Sequence, residues 1–369
     1  MRYLLSIFLL MLCVGIVGAQ DDTAELTPYE IAQERIAEAY ESGTTELDLS
    51  SLGLAELPPE IGNLTELKLL YLSNNELESL PEEIGNLTSL TFLSVFGNQL
   101  TALPPEIGNL TSLHTLSAFG NQLTSLPPEI GNLTILNVLY LGHNLLTTLP
   151  SEIGNLAYLR QLDVQDNALS SLPPEIGGLP IYSLDASSNQ LQTLPPEIGT
   201  LRLTFLYLQG NELTYLPPEI GNVTSLRTLN LAFNRLRELP AEIGQLNLLT
   251  FLNLEHNQLR SLPPEIGNLG SLETLFLIEN DFQSLPLELN TLPHLQFLNM
   301  DAYLWDLIPD DIDTMDTQAV LAYMGNRAEW HTRRMLGSGA LMVAGAVTVL
   351  WMLVRRRRLG RKEKPKRGV

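Results

Sequence analysis

The chain has 369 residues, 44 % of them hydrophobic, and a formal net charge of −21; that content is ample for a packed core and excludes a disordered protein. The last fifteen residues hold nine Lys/Arg and one Glu, and Arg2 adds one more positive charge, so residues 20–354 carry −30. A body this acidic repels phosphate backbones, which excludes nucleic-acid binding by the main domain.

The N-terminus, "MRYLLSIFLLMLCVGIVGAQ", has a basic start, an apolar run from Leu4 to Val17 and small residues at Gly18 and Ala19. This pattern predicts a signal peptide over residues 1–19, cleaved before Gln20. The single cysteine, Cys13, follows Leu12, where a lipoprotein signal would carry a small residue. An exported chain without cysteine lacks the disulfides usual in secreted eukaryotic repeat domains, which favours a bacterial source. Residues 20–43 come next. Thr27-Pro28-Tyr29-Glu30 is a capping box with proline at the first helical position, and it predicts a helix to Ser42 with Gly43 as its stop.

Residues 44–309 repeat themselves. The "LP" leucine recurs eleven times from Leu57 to Leu285, eight of the ten steps being 23 residues and two being 22. Each unit continues as L-x-x-L-x-L-x-x-N-x-L, as in Leu67, Leu70, Leu72, Asn75 and Leu77. A period held this long identifies a stacked array of about twelve units, none of which can bury its leucines alone. The "LxL" core predicts a short strand with its leucines inward and the intervening residues outward. The asparagines Asn75 to Asn280 form a column whose buried amides must find backbone partners, a structural role. "LPPEIGNLTSL", Leu103 to Leu113, predicts the return limb on the other side, with proline fixing φ and glycine closing a short helical turn. The five N-x-T sequons, at Asn63, Asn86, Asn109, Asn132 and Asn222, come with the copying of "GNLT" and "GNVT".

These motifs resemble the leucine-rich repeat over residues 44–309. "LPPEIGNLTSL" is similar to the plant receptor-type repeat, which is one residue longer with an extra glycine before "IP". The 23-residue "LP" form resembles the plant intracellular Ras-group-related repeats, the animal polarity-scaffold repeats and many bacterial ones. The resemblance implies an α/β solenoid, a leucine-rich repeat horseshoe with a parallel concave β-sheet; the capping box adds an N-terminal capping helix, and the apolar run near the C-terminus adds a C-terminal transmembrane helix. The resemblance also implies protein binding through the concave face. "IPDDIDTMDTQAVLAYM" is similar to the linker after the repeats of bacterial Roco-type proteins, but no G-x-x-x-x-G-K-[ST] phosphate loop occurs in the chain.

The outward strand positions are not chosen by the scaffold, so specificity belongs there. Twelve strands at about 4.8 Å give an inner arc of about 55–60 Å. An early aromatic group is predicted from Tyr71, Phe92, Phe96, Phe119 and Tyr140, and a later one from Phe205, Tyr207, Phe233, Phe251, Phe276 and Phe297. Between them lies a polar, acidic centre that includes Gln161, Asp163, Gln165, Asp166, Ser183, Asp185, Ser187 and Ser188. Rings grouped on one face resemble interface anchors, although aromatics also suit any strand surface. The predicted contacts are Tyr71, Phe92, Phe96, Phe119, Tyr140, Asp163, Asp185, Phe205, Tyr207 and Phe251, for a protein partner with basic and apolar groups.

Chemistry beyond binding has little support. Asp163 and Asp185 share a column and fit a solvated acidic spot or a weak calcium site; an open sheet offers no water-excluding cleft for acid–base catalysis. Glu255, His256 and Glu279 are too few and too unsupported for a metal centre. No catalytic residues, metal or cofactor are assigned.

Residues 310–334 read as a C-terminal cap and juxtamembrane helix. The uncharged run Met335–Val354 is the length of one bilayer crossing, and "RRRR" follows it, which predicts a transmembrane helix over 335–354 and a basic cytoplasmic tail over 355–369. Ala340, Ala344 and Thr348 permit close helix pairing and a weak homodimer. No "LPxTG" sorting motif precedes the run. The expected localisation is a single-pass cell-membrane protein with its N-terminal domain outside. The expected function is a receptor-like or adhesive binding module without enzymatic activity; the alternative is a structural envelope spacer without a specific ligand.

Overall fold

In the computed structural model the described residues are 26–301, apart from 284, together with 304 and 317. The first element is helix α1, Pro28–Ser42. Thr27 caps it: its hydroxyl accepts from the Glu30 amide at 3.3 Å, while the Glu30 carboxylate accepts from the Thr27 amide at 2.8 Å. The same carboxylate accepts from the Thr27 hydroxyl at 2.9 Å, and the two bonds it accepts from Thr27 hold the Glu30 carboxyl below its ordinary range. Gly43 ends the helix in left-handed backbone, φ 63°. Ala32, Ile36 and Ala39 form the buried face, and Arg35 donates to the Asp48 carbonyl at 3.0 Å. The helix thus covers the open end of the first coil.

Twelve three-residue strands follow, from β1 (Glu46–Asp48) to β12 (Phe297–Asn299), in one parallel sheet ordered as in the sequence. Adjacent strands pair with like positions in register, for example Leu70 with Leu93 and Leu93 with Leu116. The middle leucine of each strand points inward and is buried, from Leu47 to Leu298. Removing a leucine side chain from water is worth about 1.5–3 kcal/mol, and here every coil adds several to one continuous core.

The asparagine column is the polar seam of that core. Asn98 donates to the carbonyls of Leu72 (2.9 Å) and Val95 (3.0 Å), and its Oδ1 accepts from the Leu77 amide at 3.1 Å. Each such amide joins its own coil to the preceding one. At the first coil Leu52 replaces asparagine, and its amide donates to Asn75 Oδ1 at 3.0 Å.

Short 3₁₀ helices make the convex side, one per coil from Pro59–Asn63 to Leu287–Thr291. Proline precedes each in extended backbone, as at Pro104, φ −67°. The expectation that the repeated glycine closes a helical turn is corrected. Gly62, Gly85 and Gly108 sit inside these helices and are absent from the positive-φ positions. Glycine is required by close approach instead: a Cβ on Gly62 would stand 2.7 Å from Glu83 Cβ and 2.8 Å from its carbonyl oxygen.

The membrane expectations are corrected as well. Among the described residues no helix is long and apolar enough to cross a membrane, so neither the transmembrane element nor the single-pass cell-membrane localisation is retained. The 15-residue α1 is a capping helix with a polar outer side. The predicted segments 1–19, 335–354 and 355–369 lie outside the described residues, as do 310–334 apart from 317.

Candidate functional site

Strand alternation and the turn that follows place three outward positions per coil on the concave side: the first and third residues of the strand, and the residue two further on. The register then assembles columns. The third strand position carries Asp48, Tyr71, Ser94, Ser117, Tyr140, Asp163, Asp185, Tyr207, Asn230, Asn253, Phe276 and Asn299 across the sheet.

The early aromatic group divides in two. Tyr71 and Phe92 meet with ring centroids 5.1 Å apart, and Phe96 stacks on Phe119 at 5.6 Å. Tyr140 stands apart from these pairs, its hydroxyl 3.4 Å from Gln161 Oε1. In the later group the Phe205 and Tyr207 rings are nearly parallel, with centroids 6.5 Å apart. Phe251, Phe276 and Phe297 form a run with spacings of 5.6 and 5.2 Å.

Asp163 and Asp185 are register partners on adjacent strands. Each carboxylate is turned into its own chain: Asp163 accepts from the Gln165 amide (3.0 Å) and side chain (3.1 Å), Asp185 from the Ser187 amide (3.0 Å) and hydroxyl (2.6 Å). Asp48, Asn230 and Asn253 make the same bond to the amide two residues on. The turn is therefore built equally well by a neutral amide, and it does not demand the two negative charges. Partial burial pushes the Asp163 carboxyl up; the Gln165 hydrogen bonds oppose this, the Asp185 charge adds to it and His143 subtracts. Asp301 is also raised by burial, against hydrogen bonds from the Glu279 and Asn280 amides.

Several residues bear on this face that strand alternation alone does not pick out. His143 packs edge-on against Phe119 at 4.6 Å and pairs with Asp166, linking the early rings to the acidic centre. Phe233 stacks on His256 at 4.1 Å and 14°. His143, Phe233 and His256 occupy the position just before the ladder asparagine, where the backbone is left-handed in eleven successive coils from Ser51 to Glu279. Gly97, Gly120 and Gly210 suit it; for a bulky residue it costs roughly 1–2 kcal/mol. The readable signal is the residue before the ladder asparagine, which gives "NN", "GN", "DN" or "SN" in six coils and "HN", "FN" or "EN" in four.

Metal chemistry finds no assembled centre. Among the described residues no three His, Cys, Asp or Glu side chains gather to hold an ion. In the Glu255–His256–Glu279 group, His256 is engaged with Phe233 and Glu255 accepts from Asn299 at 3.3 Å.

The leucine-rich repeat region model matches residues 46–141, and a second leucine-rich repeat model matches residues 201–259. No curated protein matches the chain. Among solved structures, a leucine-rich repeat protein of Leptospira interrogans is 34% identical over 72% of this chain and 86% of its own, with a TM-score of 0.51. The plant peptide hormone receptor RGFR1 in complex with RGF2 is 30% identical over 71% of this chain and 45% of its own, with a TM-score of 0.61. The Toll–Spätzle complex of Drosophila is 26% identical over 68% of this chain and 35% of that one, with a TM-score of 0.59.

Proposed function

Because the chain belongs to the leucine-rich repeat family, we propose that it is a non-enzymatic module that binds a protein partner across the concave face of its sheet. One observation carries this reading. Among the described residues the outward strand positions hold grouped rings and six carboxylates (Glu46, Asp48, Asp163, Asp185, Glu255 and Asp301) and no Lys or Arg. A surface that is apolar and of one charge sign favours partners with apolar and basic groups and disfavours acidic ones. The receptor and Toll neighbours, both held in complexes, support a binding role. Tyr71, Phe92, Phe96, Phe119, Tyr140, Asp163, Asp185, Phe205, Tyr207 and Phe251 are the proposed contacts.

A ligand-free spacer is favoured by a different observation, the near-uniform convex side with its repeated glycine and glutamate. Affinity capture separates the two. The full chain is used as bait beside a variant with Phe92, Phe96, Phe119 and Tyr140 changed to serine. A partner held by the first and lost by the second supports concave binding. No partner, or one indifferent to the four changes, transfers the reading to the spacer.

A further inference from the structure

The left-handed column before the asparagines runs along the margin of the concave face, and most of its residues are glycine or small and polar. Phe233 and His256 are not. Phe233 is 57 % exposed at φ 55°, and His256 is exposed at φ 50°. The hydrophobic core does not retain a ring placed this way, because it is largely outside the core. Among the described residues its one ring partner is His256 in the next coil. In the preceding coil the same register position is Gly210, which has no side chain to cover the other face of the ring.

Carboxylates gather around the stack. Glu279 follows His256 in the column, and Glu255 precedes it in the chain. The Glu279 amide donates to Asp301 Oδ1 at 2.9 Å, which brings a third carboxylate to this end of the sheet. Arg235, two residues from Phe233, is already taken by Glu212 of the preceding coil at 2.9 Å. An open aromatic face flanked by carboxylates attracts a cation by its quadrupole and by direct charge. A flat stack suits the planar guanidinium, which lies on rings and donates to carboxylates at its edge, better than the compact ammonium of lysine.

We propose that the Phe233–His256 stack, flanked by Glu255 and Glu279, is an anchor for an arginine side chain of the protein partner. The inference rests on the concave-binding reading and extends it to a second contact strip with a stated chemistry. The strained ring is then retained for contact rather than for folding.

The test uses the full chain and three labelled twelve-residue peptides, alternating leucine with arginine, lysine or glutamate, read by fluorescence anisotropy. The arginine peptide is expected to bind most tightly and the glutamate peptide not at all. Phe233→Gly should weaken the arginine peptide by about tenfold without lowering Tm, because glycine suits the left-handed backbone. Asn74→Gly, in the same column at φ 56°, should change neither. Failure of the arginine peptide to bind, or unchanged affinity in Phe233→Gly, overturns the anchor. So does an equal loss in the convex pair Glu106→Gln with Glu129→Gln, which would mean general attraction to an acidic protein. Self-association abolished by Phe233→Gly would assign the strip to a second copy and also overturn it. If the four-serine variant loses the peptide while Phe233→Gly keeps it, the concave reading stands and the anchor falls; if both keep it, both fall.

Discussion

Gly221 lies so close to Glu242 of the next coil that a Cβ at residue 221 would stand 2.4 Å from the Glu242 carbonyl oxygen. The contact is to backbone, so no side-chain rotation relieves it. Gly221→Ala is expected to lower stability by about 1–3 kcal/mol through forced separation of the two coils. Urea unfolding of the variant beside the parent measures this, and an unchanged midpoint would refute the close-approach account.

Asn144 is the same kind of joint made with hydrogen bonds. It donates to the carbonyls of Ala118 (3.0 Å) and Leu141 (2.9 Å) and accepts from the Leu123 amide at 3.0 Å. Asn144→Ala leaves these buried groups without partners and should lower stability by about 2–4 kcal/mol. Because the break is in mid-array, thermal unfolding is expected to become broader as the two halves decouple.

Asp163 gives the chain a pH dependence of known sign. Burial raises its folded pKa above the ordinary 3.8, so the folded state holds the proton more tightly than the unfolded state. Stability is then lost as pH rises from about 3.8 through the raised value, and the penalty is complete above it. Asp163→Asn should therefore raise Tm at neutral pH, with the gain shrinking as pH falls through that window. A Tm difference that stays constant with pH, or is reversed, contradicts the assignment.

Gly142 makes room for a ring. A Cβ there would stand 2.8 Å from Phe119 Cδ2 and Cε2 and 3.0 Å from Gln165 Cγ. Gly142→Ala should push Phe119 off His143 and weaken partner capture while leaving the sheet folded. The imidazole protons of His143, now under the ring current of Phe119, report the displacement by NMR. An unmoved His143 signal would show that the ring stays in place.

The sequence carried the scaffold because each coil is local and periodic. Leu70, Leu72 and Asn75 recur at fixed spacing, and the spacing alone assigns strand, core and seam. Thr27, Glu30 and Gly43 likewise announced the cap, since a capping box and a left-handed stop act within a few residues of chain. The site was legible only in outline. Tyr71, Phe92, Phe205 and Phe251 could be placed on the outward face by alternation, but which rings meet depends on lean and on gaps in the next coil. His143 carries no local signal in the sequence, because its partners Phe119 and Asp166 are one coil away on either side.

The sequence by itself determined the repeat, its parallel order, its buried leucines and its acidic inner face, because period and composition act the same way in every coil. Only the tertiary structure decided why the convex glycines are glycine and which of the exposed residues stand in strained backbone. It also decided that Phe233 stacks on His256 and that His143 packs on Phe119. These are contacts between coils, set by a spacing of a few ångströms across the stack that no single repeat records.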